Sequence, residues 1–180
     1  MKMKLTPALL AIVALLTLPL QANAAIVTYI FGLDATQEVP ANGSPALGTA
    51  SVTIDDVLNT ASFLVTGLGL TGTPVAAHIH NAPAGVNGPV VFDLVANLDG
   101  GGLVFGFPGS VAITGSDKSL AAGLGALINA TPWDFYINLH TDAFPGGEIR
   151  GQLAAVPVPA ALWLFGSALV GVGGLRRRSA

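Results

Sequence analysis

The chain has three histidines, and all of them fall in stretches that alternate like β-strands. In Ala76-Ala77-His78-Ile79-His80, preceded by Val75, the residues Val75, Ala77 and Ile79 point one way and the two histidines the other. From Trp133 onward, Trp133, Phe135, Ile137 and Leu139 form an apolar row, and Asp134, Tyr136, Asn138 and His140 a polar one. A His-x-His pair on one strand face sets two imidazoles about 6.6–7 Å apart at Cα, close enough to share an ion. His140, with Glu148 on the following strand, can complete a three- or four-ligand set of a kind that suits copper or zinc. The competing reading is a hydrogen-bonded network. Neutral histidines both donate and accept, so these could bond Asn138, Glu148, Gln152 or turn carbonyls between Gly85 and Pro89 and lock loops onto the sheet.

Other chemistries find little to work with. The chain has no cysteine, which removes disulfides, zinc fingers, iron–sulfur ligation and thiol catalysis. Ser110 and Ser116 have no nucleophile motif around them. Asp55-Asp56, with Asn59 nearby, reads as a turn and does not match an EF-hand loop. No pair of carboxylates is singled out for glycoside hydrolysis. No catalytic residue is assigned.

The elements that must position the histidines are short strands. Alternating or apolar runs lie at Ile26–Leu33, Thr49–Ile54, Ala61–Val65, Val90–Ala96, Thr131–His140 and Glu148–Leu153, besides the His78/His80 strand, with a further short one at Val111–Thr114. Turn formers separate them, such as Asn42-Gly43, Asn87-Gly88-Pro89 and Pro145-Gly146-Gly147. Leu120, Leu124, Leu127 and Ile128 recur at helical spacing and predict one short helix capped by Ser116 or Asp117. In the last strand, Ile149, Gly151 and Leu153 are expected to face inward and Glu148, Arg150 and Gln152 outward. The pattern predicts an all-β, antiparallel, Greek-key-like β-sandwich of about seven or eight strands.

All ten acidic residues lie between Asp34 and Glu148, while Lys2, Lys4 and Arg176–Arg178 lie outside that span. The domain, residues 25–155, thus sets only Lys118 and Arg150 against those ten carboxylates. That balance argues against a nucleic-acid partner.

The ends read as addresses. Residues 1–24 have a basic start, an apolar run from Pro7 to Leu20 and a small-x-small site at Ala22-Asn23-Ala24, as in a secretory signal peptide. Residues 156–180 hold Val156-Pro157-Val158-Pro159, an apolar run from Ala160 to Leu175 and the tail Arg176-Arg177-Arg178. The sixteen apolar residues would span about 24 Å as a helix.

That C-terminal run resembles the PEP-CTERM sorting signal of Gram-negative bacteria, with Val158 where the name-giving pattern has Glu. The resemblance implies an exosortase-type processing enzyme and the general secretion machinery as partners. It also implies an inner-membrane stage through the C-terminal helix, with the domain on the periplasmic side, before export to the envelope or extracellular matrix. The central domain resembles the CHRD domain, named for chordin. Matching stretches are Ala35–Pro40, Gly48–Ala50, Ala76–His80, Gly85–Val91, Phe135–Thr141 and Pro145–Gln152. The His-x-His strand is also similar to that of the Cu/Zn superoxide dismutase sandwich, but the loop for a second metal is missing. The expected role is therefore structural, adhesive or binding, non-enzymatic, with extracellular polysaccharide or envelope components as partners. The alternative is a copper- or zinc-binding, weakly redox-active domain that uses His78, His80, His140 and Glu148.

Overall fold

A computed structural model describes residues 26–99, 106 and 108–153. Strands β1 (Ile26–Asp34), β2 (Leu47–Asp55) and β3 (Thr60–Leu68) are followed by β4 (Pro74–Asn81) and β5 (Val90–Asp93). Then come β6 (Val111–Ser119), the helix α1 (Leu124–Ala130), β7 (Phe135–Thr141) and β8 (Ile149–Gln152). They form one antiparallel sheet in the order β5-β4-β7-β8-β1-β2-β3-β6.

The β2–β3 hairpin shows how local chemistry sets register. Asp55 Oδ1 accepts hydrogen bonds from the amides of Val57 and Leu58, and Asn59 takes the left-handed conformation (φ 53°) that closes the turn. Pairing then runs unbroken from Asp55↔Thr60 to Leu47↔Leu68. It buries Ala50, Val52, Ile54, Ala61, Phe63 and Val65 on one face. Thr49 and Thr66 join their hydroxyls at 2.8 Å on the other face.

The sheet curls into a half-barrel around a single core to which every strand contributes. Its far edges approach each other. Phe63 of β3 meets Phe92 of β5 edge to face, with ring centroids 6.2 Å apart. Beyond β5, the Asp99 amide donates to Thr114 O of β6, and the Asp99 carboxylate takes Ser116 Oγ and Lys118 Nζ. Helix α1 adds Leu124 and Ile128 to the core.

This corrects the expected sandwich. β8 joins β1 at the single pair Asp34↔Arg150, so two four-stranded halves become one sheet. Gly151 permits that approach, because a Cβ there would lie 2.5 Å from Gly32 O and 2.9 Å from Phe31 Cδ2. The helix is later than expected and is not capped by Ser116 or Asp117. Both belong to β6, whose pairing with β3 continues to Thr60↔Ser119, and Gly123 precedes the helix instead. Trp133 leaves the apolar row: Pro132–Asp134 form a 3-10 turn and the indole is exposed.

The helices expected to flank the domain are corrected as well. The signal segment 1–24 and the sorting segment 156–180 lie outside the described residues, and no helix among those described is long and apolar enough to cross a membrane. The seven residues of α1 span about 10 Å. The inner-membrane stage, the periplasmic placement and the export route rested on those helices. So did the exosortase and secretion machinery as partners. With no such helix among the described residues, they have no footing in this structure, nor do polysaccharide or envelope partners.

Candidate metal centre

β4 and β7 run side by side, with Ala76 opposite His140, His78 opposite Asn138 and His80 opposite Tyr136. Ala77, Ile79, Phe135, Ile137 and Leu139 fill the core. The strand period of two therefore sends His78, His80 and His140 to the outer face. That face is roofed by loops, so His80 and His140 are buried and only His78 keeps partial exposure.

The three imidazoles converge. Ring centroids are 4.9 Å apart for His78–His140, 5.6 Å for His78–His80 and 6.1 Å for His80–His140. One ring nitrogen from each lies within 4.8 Å of the others. The set could in principle chelate a metal.

Backbone carbonyls fix the tautomers. His80 Nδ1 is 2.9 Å from Gly88 O and His140 Nδ1 is 2.9 Å from Pro145 O. A carbonyl can only accept, so each Nδ1 carries the proton and each Nε2 is a bare lone pair. Outer carbonyls hold metal-binding histidines in this way. His140 Nε2 then accepts from His78 Nδ1 at 3.2 Å. His80 Nε2 is buried and has no hydrogen-bond partner among the described residues.

All three rings are kept neutral. Burial lowers the pKa of His78, helped by the neighbouring His140 and His80 and opposed by Asp93. Burial likewise lowers His80, against its bond to Gly88, and His140, against its bond to Pro145. A neutral imidazole is the form that ligates.

Glu148 is not brought into this cluster. Its Oε1 accepts from Ser44 Oγ, the Thr71 amide and Thr71 Oγ1, and its Oε2 accepts from Thr141 Oγ1 at 2.6 Å. Thr141 follows Leu139 by two residues, so this is the core face, opposite to that of His140. Glu148 and Arg150 are both buried: Glu148 turns to the core face, against the expectation that it faces outward, while Arg150 keeps the outer face and is covered there by loops.

Asp93 takes the place beside the histidines that the sequence reading gave to Glu148. It pairs with His78 in the β4–β5 register, and its Oδ2 lies 4.0 Å from His78 Nε2. Asp93 is not legible in the sequence, because nothing in the strand Val90–Ala96 says which neighbour it pairs with. Tyr136 was also missed: its ring stacks on His80 and its hydroxyl accepts from the Gly88 amide. The turn carbonyls around Gly85–Pro89 were a legible signal, and Gly88 O is the one used.

An eight-stranded antiparallel half-barrel with a roofed histidine triad on its outer face is the class that fold and site define. The CHRD domain family matches residues 29–153, nearly the whole of that half-barrel, and the chain belongs to it. No curated protein and no solved structure matches the chain.

Proposed function

We propose that the domain binds one divalent transition-metal ion, copper or zinc, through His78, His80 and His140. The observation that carries this is the bare, buried Nε2 of His80 beside two further ring nitrogens. An unpaired buried acceptor costs about 1–3 kcal/mol, and a shared ion would remove that cost. The 3.2 Å between His78 Nδ1 and His140 Nε2 matches the roughly 3.3 Å expected of two nitrogens bound 2.0–2.1 Å from a tetrahedral ion. Binding there moves the His78 proton from Nδ1 to Nε2, toward Asp93. Bound copper would add one-electron chemistry, and zinc would not. The CHRD fold is equally consistent with a structural role, and the imidazole bonds to Gly88 O and Pro145 O do hold two loops on the sheet.

Elemental analysis and calorimetry with Zn²⁺ and Cu²⁺ test the proposal on the full chain. One tightly bound ion per chain, lost in the His78→Ala/His80→Ala variant, is the expected result. Absence of binding, with a fall in thermal stability in that variant, would make the histidines scaffold and overturn the proposal.

A further inference from the structure

Two other buried acceptors lack partners, and they belong to groups in contact with each other. Glu38 follows the 3-10 turn Ala35–Gln37 and is 7% exposed, and Asn138 on β7 is 3% exposed. Asn138 Nδ2 donates to Glu38 Oε2 and to Gly146 O, each at 3.4 Å, which orients the amide with its nitrogen toward two acceptors. The remaining oxygens, Glu38 Oε1 and Asn138 Oδ1, are buried and receive no hydrogen bond from the described residues. Were Glu38 ionised, both would stay unpaired in a low-dielectric site. A single proton shared between the two oxygens would remove both deficits.

We propose that Glu38 is held as the neutral carboxylic acid, donating its Oε1 proton to Asn138 Oδ1, so that carboxyl and carboxamide close a cyclic pair of hydrogen bonds. The proton stays within the pair, and no other group is altered.

The surroundings favour this state. Arg150 on β8 is the charged group acting on Glu38, but its guanidinium is committed to Val86 O, Pro83 O, Gln152 Oε1 and the face of Tyr136. Asp34, at the start of the Glu38 turn, is engaged by Thr36 and Gln37. On β7 and β4, His140 and His78 flank Asn138 and are kept neutral by burial. Residues 39–43 and 143–147 include nothing titratable. Burial raises the Glu38 carboxyl to about 7, outweighing the lowering by Arg150 and by the Asn138 bond. A cavity of about 260 Å³ bordered by Glu38, Pro40, Asn42 and Phe144 lies alongside.

The consequence is a pH-sensitive latch. Asn138 grips Gly146 O, next to the Pro145 carbonyl that holds His140. Ionisation of Glu38 sets a bare carboxylate oxygen against Oδ1 and loosens the hold on residues 143–147. The latch stands whether or not the histidines bind an ion.

Carbon-13 NMR titration of the Glu38 carboxyl in the metal-free full chain tests it directly. The expected midpoint is near 7 instead of the ordinary 4.5. A midpoint at the ordinary value would overturn the inference. Glu38→Gln supplies a second reading, since its amide can donate to Oδ1 while its oxygen accepts from Nδ2. The variant should be at least as stable as the parent at about pH 8, where the parent is ionised, and match it at about pH 5. A variant less stable than the parent at the higher pH would overturn it too.

Discussion

His80 and Tyr136 stack face to face across β4 and β7, with ring centroids 4.7 Å apart and planes 7° from parallel. β8 flanks β7 on the opposite side from β4, and from there Arg150 sets its Cζ 3.4 Å from the Tyr136 ring centroid. The stack of imidazole, phenol and guanidinium therefore ties three strands together. Arg150 also donates to Val86 O and Pro83 O, in the loop whose Gly88 carbonyl fixes the His80 tautomer. The geometry of a histidine on β4 thus depends on an arginine two strands away.

Arg150→Lys tests that dependence. Lysine keeps the charge but loses the planar fork that stacks and bonds several acceptors at once. Two loop carbonyls, those of Pro83 and Val86, lose their donor, and the cation–π contact weakens. Urea unfolding should show a loss of about 2–3 kcal/mol. A stability unchanged from the parent would mean that the stack contributes nothing.

Asp93 should tune the proposed metal site without being a ligand itself. Were the proposed ion held by His78 Nδ1, the ring N–H would lie at Nε2, 4.0 Å from Asp93 Oδ2, where the carboxylate would favour that tautomer and raise the basicity of the ring. Asp93→Asn removes the charge and should weaken Zn²⁺ affinity about tenfold by calorimetry, with thermal stability little changed. Equal affinity in the two proteins would show that His78 coordinates without help from β5.

Alternation legibly placed the three histidines on one face of their strands, because the period of two is a local property of the chain. Pairing order is not local. That Asp93, and not Glu148, stands beside His78 depends on β5 pairing with β4. The same alternation put Arg150 outward, which is its correct face. It said nothing of the loops that roof that face and bury the guanidinium. The sandwich and the single sheet share one pattern of short strands, and the Asp34↔Arg150 pair that joins the two halves is marked by no periodicity. Trp133 escaped the apolar row because Pro132 starts a 3-10 turn before the strand begins.

Glu148 ties three parts of the chain through Ser44, Thr71 and Thr141. Burial alone would raise its pKa, but the hydrogen bonds from Thr141, Ser44 and Thr71 outweigh that and hold it below the ordinary value. A carboxylate lowered in the folded state contributes stability above its unfolded pKa, and loses it as pH falls through the folded value. Glu148→Gln turns an amide toward these donors and should cost about 2–3 kcal/mol at neutral pH. The gap between parent and variant should narrow as the solution is acidified below about pH 4.5. A gap that stays constant down to strong acid would show that the carboxylate charge is not what the hydroxyls recognise.

Gly151 tests whether the two halves of the sheet are one cooperative unit. It lies on β8 against β1, where an added Cβ would meet Gly32 O at 2.5 Å, Phe31 Cδ2 at 2.9 Å and Leu33 Cγ at 3.0 Å. The oxygen is backbone and cannot rotate away, so the junction must open to admit a methyl group. The halves meet in register only at Asp34↔Arg150, which leaves little pairing to absorb the shift. Gly151→Ala should therefore cost about 1–3 kcal/mol in urea unfolding. Amide exchange should rise at Asp34 and Arg150, while the β2–β3 hairpin, paired without a break, keeps its protection. If exchange rose evenly through both halves, the junction would be no weaker than the rest of the sheet; a variant as stable as the parent would mean that β1 and β8 do not approach this closely in solution.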